Sequence, residues 1–126
     1  MILDTSAIVS ILNQEPDAAQ FADAIESASH VSVSAGTLLE AAIVLGRTRG
    51  DALDAFLRLA DVTVVPVDDR HVGVARSAWD RYGRGSGSQA RLNYGDCFSY
   101  AAAKVADEPL LFKGGDFTHT DLSSAL

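Results

Sequence analysis

Short runs of β-prone residues alternate along the chain with longer stretches whose apolar positions recur at helical spacing. That alternation is the pattern of an α/β protein with a mainly parallel sheet. Strands are expected at residues 2–4, 31–34, 62–67 and 110–112, and helices at 6–13, 17–28, 35–47, 51–60, 69–82 and 94–106. Pro16 separates the first two helices, with Asp17 suited to cap the second, and Gly46 and Gly50 bracket the turn after the third. Residues 83–90, GRGSGSQA, are rich in Gly and Ser and carry no apolar period, so they read as a mobile loop and not as a linker between domains. Residues 118–126 are too short and mixed for more than a last strand or turn.

At 126 residues, 48% of them apolar, the chain has the size of one domain and enough apolar material for a core, so residues 1–126 are read as a single domain. The one cysteine, Cys97, lies in an apolar stretch and can close no internal disulfide, which suits a small buried hydrophobe in a reducing, cytoplasmic interior. No apolar run reaches the roughly 18 residues of a membrane span. The opening MILDTSAIVSIL lacks a basic leader, so the domain is expected to begin at once. A net charge of −7 at pH 7 argues against a protein that grips nucleic acid by bulk attraction. Distribution qualifies that total, because residues 70–91 hold Arg70, Arg76, Arg81, Arg84 and Arg91 against the single acid Asp80. Such a segment is either a solvated face or a surface that guides phosphate. On the second reading, Arg84 and Arg91 are the residues expected to touch phosphate.

The acids carry the chemistry. In open parallel sheets, ligands bind beyond the carboxyl ends of the strands. Asp4 ends the first strand ahead of Thr5 and Ser6, Asp96 sits in the first turn of a helix behind Asn93, and Asp116 follows Gly114 and Gly115 just past the last strand. Each also has a plain structural use, as strand-end cap, capping-box acid or turn residue. Glu40 differs: Gly36, Thr37, Ile43 and Val44 lie one turn away, a face expected to be buried, where a carboxylate is costly unless paired or bound to a cation. Converging carboxylates repel one another, and a hard divalent cation such as Mg²⁺, which takes oxygen donors, removes that penalty. Zinc is not expected, since Cys97 stands alone and His30, His71 and His119 lack ligand spacing and belong at the surface. No glycine-rich loop ends in Gly-Lys-Ser/Thr, so no nucleoside-triphosphate cradle is expected.

The opening ILDTSAIVSIL, the isolated helical Glu40, the segment LNYGDCFSYAAAK and the ending LLFKGGDF resemble the PIN-domain ribonucleases, and specifically the VapC toxins of bacterial toxin-antitoxin modules, from residue 1 to about residue 122. The resemblance implies a three-layer α/β/α domain with a central, mainly parallel sheet of four to five strands. It implies a Mg²⁺ or Mn²⁺ site and endonucleolytic cleavage of single-stranded regions of RNA, such as those of tRNA or rRNA. Position by position, it makes Asp4 and Asp96 direct metal ligands, Glu40 the second acid of the site, and Asp116 a ligand through water or to a second ion. It makes Thr5 or Ser6 a hydroxyl that orients metal-bound water. It also implies a cognate antitoxin and a homodimer, and the helices before Pro66 are expected to offer the antitoxin an apolar groove. The alternative is a phosphotransfer receiver domain, which has an acidic pocket and a lysine after its last strand, as Lys113 stands here. Against that alternative, Asp4 is followed by Thr5 and Ser6 and not by a second acid.

Overall fold

Two residues suffice for the first strand. Successive side chains of a strand point to opposite faces of its sheet, so in β1 (Ile2–Leu3) Ile2 enters one core and Leu3 the other. The computed structural model, which describes residues 1–126, continues with α1 (Thr5–Leu12), α2 (Ala18–Ser27), β2 (Ser32–Ser34), α3 (Ala35–Leu45), α4 (Gly50–Leu59), β3 (Thr63–Val65), α5 (Asp69–Tyr82), α6 (Tyr94–Ala106) and β4 (Leu110–Leu111). A 3-10 turn, Asp116–His119, follows.

The strands lie in the order β3-β2-β1-β4, every pair parallel, with Leu3 between Val33 and Leu111. The chain therefore steps outward from β1 through β2 to β3, then returns to the far side of β1. Right-handed crossovers on such a path put α1–α4 on one face and α5 and α6 on the other. The two cores agree. Leu3, Val33 and Leu111 pack with Ala7, Ile8, Phe21, Ile25, Ala41 and Leu53, whereas Ile2 and Leu110 pack with Ala78, Tyr82, Leu92, Tyr100 and Phe117. This is the expected three-layer α/β/α architecture, with four strands. The reversal falls between β1 and β4, and in this class ligands bind at the carboxyl ends of the strands that flank it.

Several local expectations need correction. The strands are shorter than their apolar runs: only Thr63–Val65 of residues 62–67 pairs, and Asp4 and Phe112 lie beyond the ends of β1 and β4. Pro66 has no N–H with which to extend the ladder. Asp17 stands at the start of α2 without capping it, because its Oδ1 accepts from Ser10 Oγ at 2.6 Å and from Lys113 Nζ at 3.0 Å. Residues 83–90 form a loop tied at both ends: Arg84 N donates to Leu92 O, Leu92 N donates to Tyr82 O, and Ala90 is buried. His30 and His119 are exposed as expected, but His71 is buried. Asp68 caps α5 by accepting from His71 N at 3.0 Å, and its Oδ1 lies 2.7 Å from His71 Nδ1, which folds the ring back onto its own helix start. No helix is long and apolar enough to cross a membrane.

Candidate active site

Asp4 leaves β1 and caps α1. Its Oδ2 accepts from Ser6 N at 2.9 Å and from Ser6 Oγ at 2.5 Å, and its Oδ1 accepts from Ser99 Oγ at 2.6 Å. A hydroxyl has one proton to give. Ser99 gives its proton to Asp4, so Thr37 Oγ1, 2.9 Å away, donates to Ser99. Ser6 is committed in the same way and accepts from Lys113 N at 2.9 Å. A buried carboxylate with three short, charge-assisted hydrogen bonds is held in one orientation.

Glu40 lies in the second turn of α3, and its Oε2 accepts from Thr5 Oγ1 at 2.5 Å. Its surroundings differ from the expectation of a buried face. Thr37 and Ala41 are buried, but Leu39, Ile43 and Val44 are 63%, 71% and 58% exposed. Glu40 therefore stands on the shoulder of the helix, half-buried, and it is held there by Thr5 and not by enclosing apolar side chains.

Asp96 completes a capping box at the start of α6. Asp96 N donates to Asn93 Oδ1 at 2.9 Å, and Asn93 N donates to Asp96 Oδ2 at 2.8 Å. Burial pushes the Asp96 carboxyl up to about 6, and the charges of Asp4, Asp116 and Glu40 push the same way, against the lowering effect of the Asn93 N–H. Four acids spread over the whole sequence thus share one field. Asp116 is exposed at the head of the 3-10 turn, reached through Gly114, whose φ of +95° suits glycine. Burial, and after it the Asp96 charge, also raises the Cys97 thiol, as befits a small packed residue and not a nucleophile.

None of the four acids pairs with a lysine, arginine or histidine. Lys113, the residue behind the receiver comparison, reaches Glu15 at 2.5 Å and Asp17 at 3.0 Å instead. No group of three His, Cys, Asp or Glu side chains closes around a point that an ion could occupy. The donor set nevertheless fits a hard cation that keeps its waters, since Mg²⁺ needs only one or two direct carboxylates. Asp96 Oδ1 and Glu40 Oε1 accept no protein hydrogen bond, and uncompensated negative charge is part of what lifts Asp96.

Of the expected substrate residues, Arg84 lines an open groove of about 650 Å³ with Arg76, Trp79, Tyr94, Phe98 and Asn93, the capping partner of Asp96. Arg91 is exposed and lies outside that groove. Arg81 turns elsewhere, over the Tyr82 ring and within 3.9 Å of Asp121. The basic segment is therefore not one surface. Neither Ser99 nor Gly95 stands out in the sequence, and Thr37 does so only as a neighbour of Glu40, although Ser99 lies one helical turn from Asp96 as Thr37 does from Glu40.

Four carboxylates without basic partners lie at the carboxyl edge of a parallel sheet beside its topological switch, where folds of this class bind their ligands. The PIN domain family matches residues 1–122. Ribonuclease VapC28 of Mycobacterium tuberculosis is 48% identical over 130 residues, an alignment that covers 100% of this chain and 98% of that protein. The chain belongs to the PIN-domain family, among its VapC ribonucleases. That membership sets aside the phosphotransfer alternative. The fold is also that of Mycobacterium tuberculosis VapC20, a sarcin-ricin loop cleaving toxin, with a TM-score of 0.75 at 20% identity over 96% of this chain and 95% of that one. A toxin-antitoxin complex from Klebsiella pneumoniae gives a TM-score of 0.71 at 13% identity over 95% and 92%. At such identities these two structures speak for the fold alone.

Proposed function

We propose that this ribonuclease is the toxin of a toxin-antitoxin module and cleaves single-stranded regions of RNA, those of tRNA or rRNA among them. It uses Mg²⁺, for which Mn²⁺ substitutes, at Asp4, Asp96 and Asp116. One observation carries the metal: the charges of Asp4, Asp116 and Glu40 all act on the Asp96 carboxyl, which burial already raises, and no basic side chain neutralises any of the four. A divalent ion bound there supplies a water of lowered pKa and positive charge against the phosphoryl oxygens. The chain does the rest. Asp4, fixed by Ser6 and Ser99, and Asp96, fixed by Asn93, hold the ion directly. Asp116, exposed, acts through water or a second ion. Glu40 offers Oε1 to orient a water or take its proton, while Thr5 occupies Oε2. Arg84 and Arg91 meet the phosphates of the substrate.

A groove of about 860 Å³ between α1, α2 and α4, lined by Ile11, Leu12, Ile25, Phe56 and Leu59, supports the antitoxin. It is apolar and lies among the helices before Pro66. A basic side chain of such a partner, entering the acid cluster, would inhibit by taking the place of the cation. Apolar side chains open on α3, on the edge strand β3 and on α5, namely Leu39, Ile43, Val44, Val64, Val72 and Trp79, support a homodimer. The protein then acts in the cytoplasm, where its RNA substrate is.

Total RNA incubated with purified, antitoxin-free protein tests the metal requirement. Cleavage that stops in EDTA and resumes with added Mg²⁺ supports it. Undiminished cleavage in EDTA overturns it.

A further inference from the structure

Helices α3 and α6 meet at two notches. Gly36 of α3 lies under Phe98 of α6, where a Cβ would stand 2.6 Å from the ring. One turn further along α3 the roles reverse. Gly95 of α6 lies under Glu40, and a Cβ there would collide with the carboxyl atoms Oε1, Cδ and Oε2, the last at 2.5 Å. Gly95 is buried and is not among the residues with positive φ, so its backbone makes no demand for glycine. The carboxylate of Glu40 makes that demand.

We propose that Gly95 is a positioning residue of the active site, whose missing side chain gives the Glu40 carboxylate a seat between the Thr5 hydroxyl and the first turn of α6. The proposal rests on Glu40 belonging to the cation site. Relief by parting the helices would cost the packing of Phe98 in the notch at Gly36, where Tyr94 meets the ring edge-on at 5.0 Å. What gives way to a methyl group at 95 is the Glu40 side chain, which is flexible and swings to another rotamer at small cost. Alanine is also the better helix former in the first turn of α6. Gly95→Ala moves the carboxylate and breaks its 2.5 Å hydrogen bond from Thr5, a loss that the gain in helix propensity offsets in part.

The test uses the full chain, with Mn²⁺ as the probe: calorimetric Mn²⁺ titrations and melting temperatures of wild type, Glu40→Gln, Gly95→Ala and the double variant Gly95→Ala/Glu40→Asp. Glu40→Gln is expected to weaken binding by about 10–100-fold, the loss usual when a group supporting a metal site is removed. Gly95→Ala should weaken it by a similar factor with no large loss in melting temperature. In the double variant the shorter aspartate draws the carboxyl back by one methylene, and affinity should recover in part. No Mn²⁺ binding by wild type, or wild-type binding by Glu40→Gln, removes Glu40 from the cation site and the proposal with it. Weakened binding in Glu40→Gln beside wild-type binding in Gly95→Ala overturns the role of Gly95 alone. A large loss in melting temperature in Gly95→Ala with no recovery in the double variant makes Gly95 a packing residue, and overturns it too.

Discussion

Ser99, in the middle of α6, gives its hydroxyl proton to Asp4, at the end of β1, across 2.6 Å. Ser99 is wholly buried and accepts in turn from Thr37 on α3. One carboxylate is therefore aimed by residues from both helical layers. Ser99→Ala leaves Asp4 Oδ1 without a donor and Thr37 without its partner. We expect a loss of about 1.5–3 kcal/mol, the range for hydrogen bonds to charged groups, measured by urea unfolding. A variant as stable as wild type would show that Asp4 needs no such support.

The raised carboxyl of Asp96 links the site to pH. Its value in the folded protein is about 6, against an ordinary 3.8, for the most part through burial. Below 3.8 both the folded and unfolded chains are protonated at this residue and stability is unaffected. Between 3.8 and about 6 the unfolded chain has released this proton while the fold still holds it, so stability falls across that window and levels off above it. In EDTA near neutrality, Asp96→Asn should therefore melt above wild type, and the two should converge in acid. A divalent cation, which needs the ionised carboxylate, should raise the wild-type melting temperature more near neutrality than in acid. Melting of Asp96→Asn below wild type at neutral pH in EDTA contradicts this account.

Why some of the site was legible in the sequence and some was not follows from where each signal resides. Asp4, Asp96 and Asp116 sit at strand ends or at a helix start, positions that local pattern marks, and α5 and α6 span the residues their periodicity predicts. Glu40 stood out because a lone acid among apolar residues needs a reason. The expected reason, burial, fails, because Ile43 and Val44 are apolar yet open to solvent. Apolar character alone does not separate core from open surface. The roles of Ser99, Thr37 and Gly95 remained hidden because they depend on which helices meet, a tertiary property that no local window contains. His71 was misjudged on similar grounds: the hydrogen bonds to Asp68 that go with its burial are invisible to periodicity.

The exposed apolar side chains of α3 make the proposed homodimer testable without touching the acids. Ile43→Asp replaces a residue that is 71% exposed, so the stability of the monomer should change by no more than about 0.5 kcal/mol. Sedimentation should report a shift from dimer to monomer. Dimers that persist in this variant would take α3 out of the interface.

The arginines are best read through salt. With cleavage disabled by Asp4→Asn, removal of a phosphate contact should weaken binding to single-stranded RNA and flatten the logarithmic salt dependence by about 0.7 per contact. Arg84→Ala and Arg91→Ala are each expected to do so in a fluorescence-anisotropy titration. An unchanged slope assigns that arginine to a solvated surface.

The shared carboxylates, Asp96 among them, are proposed to make the metal site that cleaves RNA. The most direct measurement is the Mg²⁺-dependent cleavage rate of Asp96→Asn beside wild type, at a temperature where both are folded. A fall of about 100-fold or more, on the order of 3 kcal/mol in the barrier, is the predicted result. Cleavage by Asp96→Asn at the wild-type rate would contradict it.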